Sequence, residues 1–387
     1  MSDRDRQSPQ DVSSGVGGAG LFSDGKFSFF PSATNLWKLE PRQVLVASYN
    51  WYRGLLRGLP WVELVRDLPD ESATLGQRSL DGEVLEKCYP SYYTTLAQRT
   101  ALTSALVAPL VEGVVLTNAD LDEINVGHRA ISLISRDRLT GHVTELASQA
   151  LVIATGRLGP LELLRMFPTA PWKDGRLEVG VRLEQPSDQF ILASHPSVDP
   201  KLIATQPDGG AVRTFCCCRE GEVITTYTRG IVSVSGRADV APTGRSNVGI
   251  ILRPSISTRR GDPSLLDRVT DAGQHLICGA GDFLDHSSGG DLAAVLGETI
   301  VTRLSNAIHQ LCDVVSRDID TDKAIVHGIA IEGIGNYPDL RRDLRWGALP
   351  IWIAGDATGQ FRGLTAAFVS GFFVGQRARE HLVGLSE

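Results

Sequence analysis

The chain has 387 residues, with 38 Lys and Arg against 45 Asp and Glu, so its formal net charge is −7. Its hydrophobic fraction of 42% and charged fraction of 21% argue against wholesale disorder. The mildly acidic balance gives no electrostatic reason to expect a nucleic acid or an anionic membrane as partner. No apolar stretch reaches the ~20 residues that a membrane-spanning helix needs, and the N-terminus lacks the apolar core of a secretory signal. We therefore expect a cytoplasmic protein of two or three domains, or one large one.

Six cysteines are too few for a disulfide scaffold. Three of them are consecutive, Cys216-Cys217-Cys218, and no His/Cys group has the spacing of a zinc site. The sequence therefore predicts no metal site and favours buried apolar thiols over redox groups, with the triplet as the one exception. Glycine is abundant, at 40 of 387 residues, which is typical of α/β proteins whose backbone approaches phosphates closely.

The predicted elements of the first half follow hydrophobic spacing and turn residues. Apolar residues at helical spacing predict two helices, and the second helix leads into a short strand. Two alternating runs separated by Asp137–Gly141 predict a hairpin. A continuous apolar run predicts a parallel strand that is buried on both faces. In chain order these are a helix over Pro41–Leu59, a helix over Thr100–Val111, a strand over Gly113–Leu116, hairpin strands over Arg129–Ser135 and His142–Ala147, and the buried strand Ala150–Ala154.

Short alternating strands follow over Leu177–Pro254 and predict a mainly antiparallel unit. Helical spacing returns over Leu292–Val315, and the chain ends with a strand over Leu349–Ala354 and a helix over Gly363–Gly384. The predicted organisation is a disordered N-terminus over residues 1–14, a discontinuous Rossmann-like α/β domain over residues 15–176 and 320–387, and a β-rich insert over residues 177–319.

A glycine pattern near the N-terminus, Gly15-x-Gly17-x-x-Gly20, matches the dinucleotide fingerprint in letters only. That fingerprint needs a buried strand before it and a helix after it. The polar Ser8–Ser14 run cannot form such a strand, and Ser23-Asp24-Gly25 breaks any helix. We therefore predict a glycine-rich loop that touches a ligand, and not the first turn of a Rossmann unit.

A stronger ligand signal stands near the C-terminus, where the apolar strand ends in Gly355-Asp356 and a loop leads into the last helix. This arrangement offers a carboxylate to ribityl or ribose hydroxyls and a positive helix end to an anionic ring or phosphate. Small residues recur along the helix at Gly363, Ala367, Gly371 and Gly375. Tight helix packing alone explains this stripe but leaves Gly355-Asp356 unexplained, so we favour a ligand.

Three segments together resemble the bacterial FAD-dependent dehydrogenases with a glutathione-reductase-type flavin domain. They are Gly-x-Gly-Gly-Ala-Gly-x-Phe-Ser-Asp-Gly-Lys (Gly15–Lys26), Arg-Thr-Phe-Cys-x-Cys (Arg213–Cys218) and the terminal Gly-Asp…Gly loop and helix. The resemblance implies an α/β FAD/NAD(P)-binding domain interrupted by an antiparallel β substrate domain. It also implies an FAD-dependent oxidoreductase that transfers hydride between a small organic substrate and the flavin.

The same resemblance implies a flavin pocket assembled from separate segments. The isoalloxazine and the pyrophosphate would lie near Gly17–Lys26, and Arg99 would lie beside the cofactor. Thr155 and Gly156 would pass near the dinucleotide. Asp356 would hold the ribityl chain, and the start of the last helix would face the ring. The implied residues are Gly17, Gly18, Ala19, Gly20, Asp24, Gly25, Lys26, Arg99, Thr155, Gly156, Gly355, Asp356, Gly363 and Leu364.

This sequence departs from that family at its N-terminus, where members carry a strand–GxGxxG–helix–strand unit before the Gly-Gly-Ala-Gly segment. A shortened N-terminus, a second polypeptide that supplies the unit, and a site that has abandoned FAD all stay open. The alternative functions are accordingly a flavin-free derivative, used for cyclisation, isomerisation or ligand binding, and one subunit of a two-chain flavoprotein. We expect a small-molecule substrate, with a complementing polypeptide or a homo-oligomer left open.

Candidate acid–base groups are His286, His327 and Tyr337, chosen because they fall in the stretch that should line the substrate side. A single histidine is more often structural than catalytic. Two arginines, Arg213 and Arg362, either bind an anionic substrate or pair with carboxylates, and the sequence does not decide between these roles.

Overall fold

The computed structural model describes residues 12–69, 76–81, 84–110, 113–127, 130–285 and 290–384. Most of the predicted disordered N-terminus, and the candidate His286, lie outside these ranges. The fold is mixed α/β with a large antiparallel sheet. Its strands are β1 (Lys26–Ser28), β2 (Gly76–Asp81), β3 (Val84–Cys88), β4 (Ser91–Tyr93), β5 (Ala119–Val126), β6 (Ile131–Asp137), β7 (Val143–Ser148), β8 (Leu151–Ile153), β9 (Trp172–Pro186), β10 (Lys201–Thr205), β11 (Ala211–Cys218), β12 (Glu222–Thr228), β13 (Ile231–Arg237), β14 (Arg245–Arg253), β15 (Leu276–Gly279), β16 (Ile325–Pro338) and β17 (Ile351–Ile353).

The α-helices range from single turns to a 21-residue helix at the C-terminus. They are α1 (Gly18–Leu21), α2 (Arg42–Leu55), α3 (Leu96–Val107), α4 (Gly159–Met166), α5 (Ile256–Gly261), α6 (Leu265–Thr270), α7 (Ala280–Leu284), α8 (Gly290–Leu296), α9 (Glu298–Val315) and α10 (Leu364–Gly384).

The chain packs into two compact units. One, here called the sheet unit, comprises Met1–Gly25, Thr74–Tyr89 and Arg176–Gly335; the other, here called the helix unit, comprises Lys26–Ala73, Pro90–Gly175 and Asn336–Glu387. The predicted cofactor and substrate domains stay predictions, because these units describe which segments pack together and not what each segment binds.

The sheet unit is built on eight strands in the order β15-β16-β9-β14-β11-β10-β3-β2. Its central strands β9, β14 and β11 pair antiparallel, which confirms the prediction for Leu177–Pro254. Helix α9 packs against this sheet and buries apolar residues one turn apart, Ile300, Leu304, Ile308 and Leu311. The predicted helix over Leu292–Val315 is present but broken at Gly297, whose φ of +84° ends α8 before α9 begins.

In the helix unit, β8 and β17 pair in parallel, as the sequence predicts for a strand at this position. The predicted helices are also present: α2 begins after Pro41, and α3 begins at Leu96 because Thr95 and Gln98 form a reciprocal capping box. Helix α10 packs against α2 and β1. The hairpin is confirmed as β6 and β7, whose backbones pair antiparallel.

Two predictions in this unit are wrong. No strand forms over Gly113–Leu116, where Val114 is 85% exposed, because this apolar run has no partner strand among the described residues. Strand β8 is not buried on both faces either, since Val152 is 41% exposed.

Candidate functional site

The carboxyl ends of β8 and β17 form the part of the helix unit to which the sequence assigns a ligand. Because the two strands are parallel, they end at the same edge, and the Ala354 N–H donates to the Ile153 carbonyl across it (2.9 Å). Thr155 and Gly156 follow β8, and Gly355-Asp356 follows β17. The structure therefore brings these two predicted segments to one edge.

The turn between β17 and α10 is held in place by contacts with Ser370 and Tyr337. Gly355 has a φ of +65°, and its N–H donates to the Oγ of Ser370 on α10 (2.9 Å). Gly359 has a φ of +67° and lies so close to the Tyr337 ring that a Cβ at this position would stand 2.3 Å from it. Tyr337, only 2% exposed, therefore packs against the turn, and its predicted catalytic role stays a prediction.

Asp356 is the carboxylate of this turn, and it pairs with Arg362. The Nε of Arg362 lies 3.4 Å from Oδ2 of Asp356, and both side chains are about a quarter exposed. The second arginine left open by the sequence also has a carboxylate partner, since Nη2 of Arg213 lies 2.7 Å from Oε2 of the buried Glu178. Both arginines thus pair with carboxylates.

The start of α10 is open on one side. A Cβ built at Gly363, Gly371 or Gly375 would meet no described atom within 4 Å, so tight protein packing does not explain the stripe of small residues. The first N–H groups of a helix have no intrahelical partner and carry its positive dipole end. An open helix end next to a partly exposed carboxylate fits the ring and ribityl half of a flavin.

Arg99, predicted to lie beside the cofactor, is buried in α3 of the helix unit. Its exposed fraction is 3%, and its Nη1 donates to the Thr94 carbonyl (2.5 Å). This bond fixes the start of α3, and a role towards a cofactor stays a prediction.

The Gly-Gly-Ala-Gly segment belongs to the sheet unit as far as Gly25, whereas Lys26 begins β1 of the helix unit. Residues 12–17 form no strand, and the helix that follows, Gly18–Leu21, is a single turn. The prediction that this segment is not a Rossmann turn is thus confirmed for the described residues. The cofactor roles of Gly17, Gly18, Ala19, Gly20, Asp24, Gly25 and Lys26 stay predictions.

The structure brings this segment close to the cysteine triplet, a juxtaposition that the sequence could not show. The pKa of Cys218 is raised first by its hydrogen bond with Cys216 and then by burial, and the charge of Asp24 adds a smaller contribution. Nearby, the guanidinium carbon of Arg237 on β13 lies 5.5 Å from the ring centroid of Phe22. Two of the three segments quoted for the family resemblance, the first as far as Gly25, therefore belong to the sheet unit.

His327, a predicted acid–base group, stands in a chain of polar side chains in the sheet unit. Its Nδ1 lies 3.0 Å from Nε2 of His275, and its Nε2 lies 3.4 Å from Oε2 of Glu184. The same Glu184 oxygen pairs with Nε of Arg245 (2.9 Å), and Nδ1 of His275 contacts Oγ1 of Thr225 (3.1 Å). Such a chain can hold and pass a proton, and the catalytic role of His327 stays a prediction.

The sequence missed His275 and Glu184 because they lie 52 and 143 residues from His327. Strand β15 pairs with β16 and so brings His275, the residue before β15, towards His327. Neither the spacing nor the neighbours of these residues carries a signal that would have found them.

We expect this histidine pair to make stability depend on pH. Burial, and then the neighbouring His327, lower the pKa of His275, so below about pH 6.5 the unfolded chain binds more protons than the folded one. The free energy of unfolding should therefore fall from pH 7 to pH 5.5, with a contribution from this group of at most about 1.4 kcal/mol per pH unit. Urea denaturation at several pH values measures it.

The control for this prediction is a second histidine variant. His275→Gln should flatten the pH dependence, whereas His309→Gln, at an exposed position on α9, should leave it unchanged. Equal slopes in the wild type and His275→Gln would contradict the assignment. Glu184 does not interfere, because hydrogen bonds from His327 and Arg245 outweigh burial and lower its pKa, so its stabilising effect is lost only below about pH 4.5.

No group of three or more His, Cys, Asp or Glu side chains among the described residues is arranged to hold a metal ion. Nor does any described helix combine the length and apolar character needed to cross a membrane.

No protein-family model and no curated protein matches this chain. Among solved structures, it is similar to a flavoprotein/dehydrogenase from Cytophaga hutchinsonii (12% identity, TM-score 0.34, 78% of this chain and 60% of that one). It is also similar to the substrate-free rebeccamycin biosynthetic enzyme RebC (12%, 0.33, 77% and 44%). A third is the flavin-dependent monooxygenase PieE in complex with FAD and substrate (10%, 0.30, 76% and 40%).

Two of these neighbours are flavoproteins by name, and the chain spans 60% or less of the length of each of the three. TM-scores of 0.30–0.34 do not establish a shared fold.

Proposed function

We propose that this chain is a flavin-dependent oxidoreductase, which binds FAD at the turn between β17 and α10 and transfers hydride between the cofactor and a small organic substrate. The observation that carries the proposal is the turn itself. It combines the partly exposed carboxylate of Asp356 with the open end of a 21-residue helix beginning at Leu364. A carboxylate accepts hydrogen bonds from ribityl hydroxyls, and a helix N-terminus stabilises negative charge.

The residues of the turn bind and orient the cofactor in this proposal. Asp356 accepts from the ribityl hydroxyls while Arg362 holds its carboxylate beside the turn. Backbone N–H groups of Gly363 and Leu364 donate to the ring and stabilise negative charge there. When bound, the flavin supplies the hydride chemistry at its N5 atom.

The other residues implied by the family resemblance complete the proposal. Arg99, Thr155 and Gly156, which belong to the helix unit, contact the remainder of the dinucleotide. His327, Tyr337 and His286 are the candidates for proton transfer to or from the substrate.

One observation favours the flavin-free alternative, in which the pocket binds a ligand or performs non-redox catalysis. Asp356 is already paired with Arg362, so a ribityl hydroxyl must share the carboxylate with a cation. An absorption spectrum of the purified protein, before and after addition of FAD, separates the two functions. Flavin bands that survive gel filtration support the oxidoreductase, whereas a colourless protein that does not retain added FAD supports the alternative.

Substitution of the carboxylate tests the site. We expect Asp356→Asn to weaken FAD binding about 10- to 100-fold, because a hydrogen bond to a charged group contributes about 1.5–3 kcal/mol. Fluorescence titration with FAD measures the dissociation constant. Asp339→Asn is the matched control, since Asp339 pairs with Lys173 (3.5 Å) in the same unit but lies outside the turn. Equal affinities of the Asp356 variant and the wild type would overturn the assignment of Asp356.

A further inference from the structure

Cys216 and Cys218 on β11 form a close pair of thiols. Their Sγ atoms lie 3.8 Å apart, although residues two apart on a regular strand are about 6.6 Å apart along the chain. The approach comes from a bulge between Phe215 and Cys218, where Cys216 adopts a φ of +47°. Bulges of this kind re-aim side chains and recur next to active sites.

The three consecutive cysteines have different environments. Cys216 is half-buried, whereas Cys217 and Cys218 are only 3% and 0% exposed. Burial raises the pKa of Cys217 to about 12, so this thiol is inert at neutral pH. The pKa of Cys218 is raised well above its usual range, first by its hydrogen bond with Cys216 and then by burial. Of the close pair, Cys218 therefore keeps its proton at neutral pH, and Cys216 is the less buried thiol.

A buried cation lies against this pair. Arg182 on β9 has no exposed surface, and its Nη2 donates to the Cys216 carbonyl (2.6 Å) and contacts Sγ of Cys218 (3.7 Å). Asn247 on β14 accepts from Nε of Arg182 (2.9 Å). The Nη1 of Arg182 and the Nδ2 of Asn247 are buried and have no hydrogen-bond partner among the described residues. Two orphaned donors beside two thiols indicate a site for negative charge.

The β12–β13 hairpin covers the cluster. A Cβ at Gly236 on β13 would lie 2.1 Å from Nη2 of Arg182 and 2.6 Å from Sγ of Cys218, so only glycine fits here. The carbonyl of Gly236 also accepts from Sγ of Cys216 (3.7 Å). The cover leaves Cys216 as the member of the pair that a reagent in solution reaches.

We propose that Cys216 and Cys218 are a dithiol–disulfide site oxidised by small-molecule disulfides of the glutathione class, with Arg182 as the residue that positions the Cys216 thiolate. This activity belongs to the sheet unit and does not depend on the flavin function proposed above.

The reaction has two exchange steps. The Cys216 thiolate attacks one sulfur of the small disulfide, forms a mixed disulfide and releases one small thiol. Cys218 then loses its proton, attacks the Sγ of Cys216 and releases the second small thiol. Two electrons and two protons pass from the protein dithiol to the small disulfide, and an S–S bond of about 2.05 Å replaces the 3.8 Å contact.

The test is equilibration of the full chain in glutathione redox buffers, followed by acid quenching, alkylation and peptide mass mapping. A Cys88→Ser background removes the exposed thiol on β3. We expect the free thiols of Cys216 and Cys218 to disappear together, at a single midpoint redox potential of the buffer. Neither peptide should carry bound glutathione. Cys218→Ser should trap glutathione on Cys216, and Cys216→Ser should abolish both products. Cys217→Ala is the matched control and should keep the internal disulfide.

Two results would overturn the proposal. One is a pair that stays reduced in excess oxidised glutathione, and the other is glutathione bound to Cys216 in the wild type without an internal disulfide. The products are covalent and are mapped to individual peptides. Cys217 and Cys312 are buried in the folded chain, so glutathione bound to either of them identifies a variant that has unfolded.

The positioning role of Arg182 has a separate readout, the pH profile of Cys216 alkylation. We expect Arg182→Gln to slow alkylation of Cys216 at pH 7 about tenfold, because a thiolate at this position loses its buried counter-charge. Arg182→Lys keeps the charge and should retain most of the rate. An unchanged profile in Arg182→Gln would show that Arg182 only packs against the thiols.

Discussion

Glu178→Gln is expected to destabilise the protein by about 3–5 kcal/mol, the range for removing one partner from a buried ion pair. Glu178 lies on β9 with no exposed surface. Its Oε2 accepts from Nη2 of Arg213 (2.7 Å), and its Oε1 accepts from Nε of Arg253 (2.9 Å). Removal of the carboxylate charge leaves the largely buried Arg213 uncompensated.

A third cation enlarges this effect. Burial, and then the charges of Arg253 and Arg213, lower the pKa of Lys87, so these side chains already repel one another in the folded state. Glu178 is the carboxylate that both arginines share, and its neutral amide isostere keeps the shape while it removes the opposing charge. The destabilisation is thus electrostatic and not a packing defect.

Urea denaturation at pH 7 measures the change. Glu162→Gln is the control, because Glu162 pairs on α4 with Arg165, whose side chain is 74% exposed, and a surface pair contributes only about 0.2–1 kcal/mol. Glu178→Leu with Arg213→Met should recover part of the loss, since apolar residues often replace a buried pair at little cost. A loss below 1 kcal/mol in Glu178→Gln would mean that water screens the site.

The local elements could be predicted from the sequence because their signals are local. Helix α2 follows from apolar spacing after Pro41, the β6–β7 hairpin from its turn residues, and α10 from the Gly355-Asp356 turn before it. The failed strand at Gly113–Leu116 has the same apolar signal but no partner strand among the described residues. An apolar run therefore forms a strand only where the fold places a neighbouring strand beside it for pairing.

The parts that the sequence did not predict depend on contacts between distant residues. Strands β2 and β3 join β10 of the large sheet although more than a hundred residues separate them in the chain. The pairing of His275 with His327, and of Arg182 with the cysteines, likewise arises only when strands align. Residue types alone indicated His327 and the Cys216–Cys218 triplet as candidates. Their partners could be identified only once the pairing register of the strands was known.

Gly359→Ala is expected to destabilise the protein by about 2–5 kcal/mol, and two independent terms contribute. The φ of +67° costs an L-residue about 1–2 kcal/mol. The new Cβ would also stand 2.3 Å from the Tyr337 ring, and overpacking of this kind costs about 1–3 kcal/mol. Tyr337 cannot move away easily, because it is 2% exposed and Gly175 lies against the same ring.

Gly371→Ala on α10 is the control. It distinguishes the backbone and packing costs at Gly359 from the effect of replacing any glycine with alanine. A Cβ at Gly371 meets no described atom within 4 Å, and alanine is favoured over glycine in a helix by about 1 kcal/mol, so this variant should be neutral or more stable. If Gly359→Ala lost less than 1 kcal/mol, the turn would be free to shift away from Tyr337. Asp356 would then lack the fixed position that a ribityl-binding carboxylate needs, so the stability of this one variant bears directly on the flavin proposal.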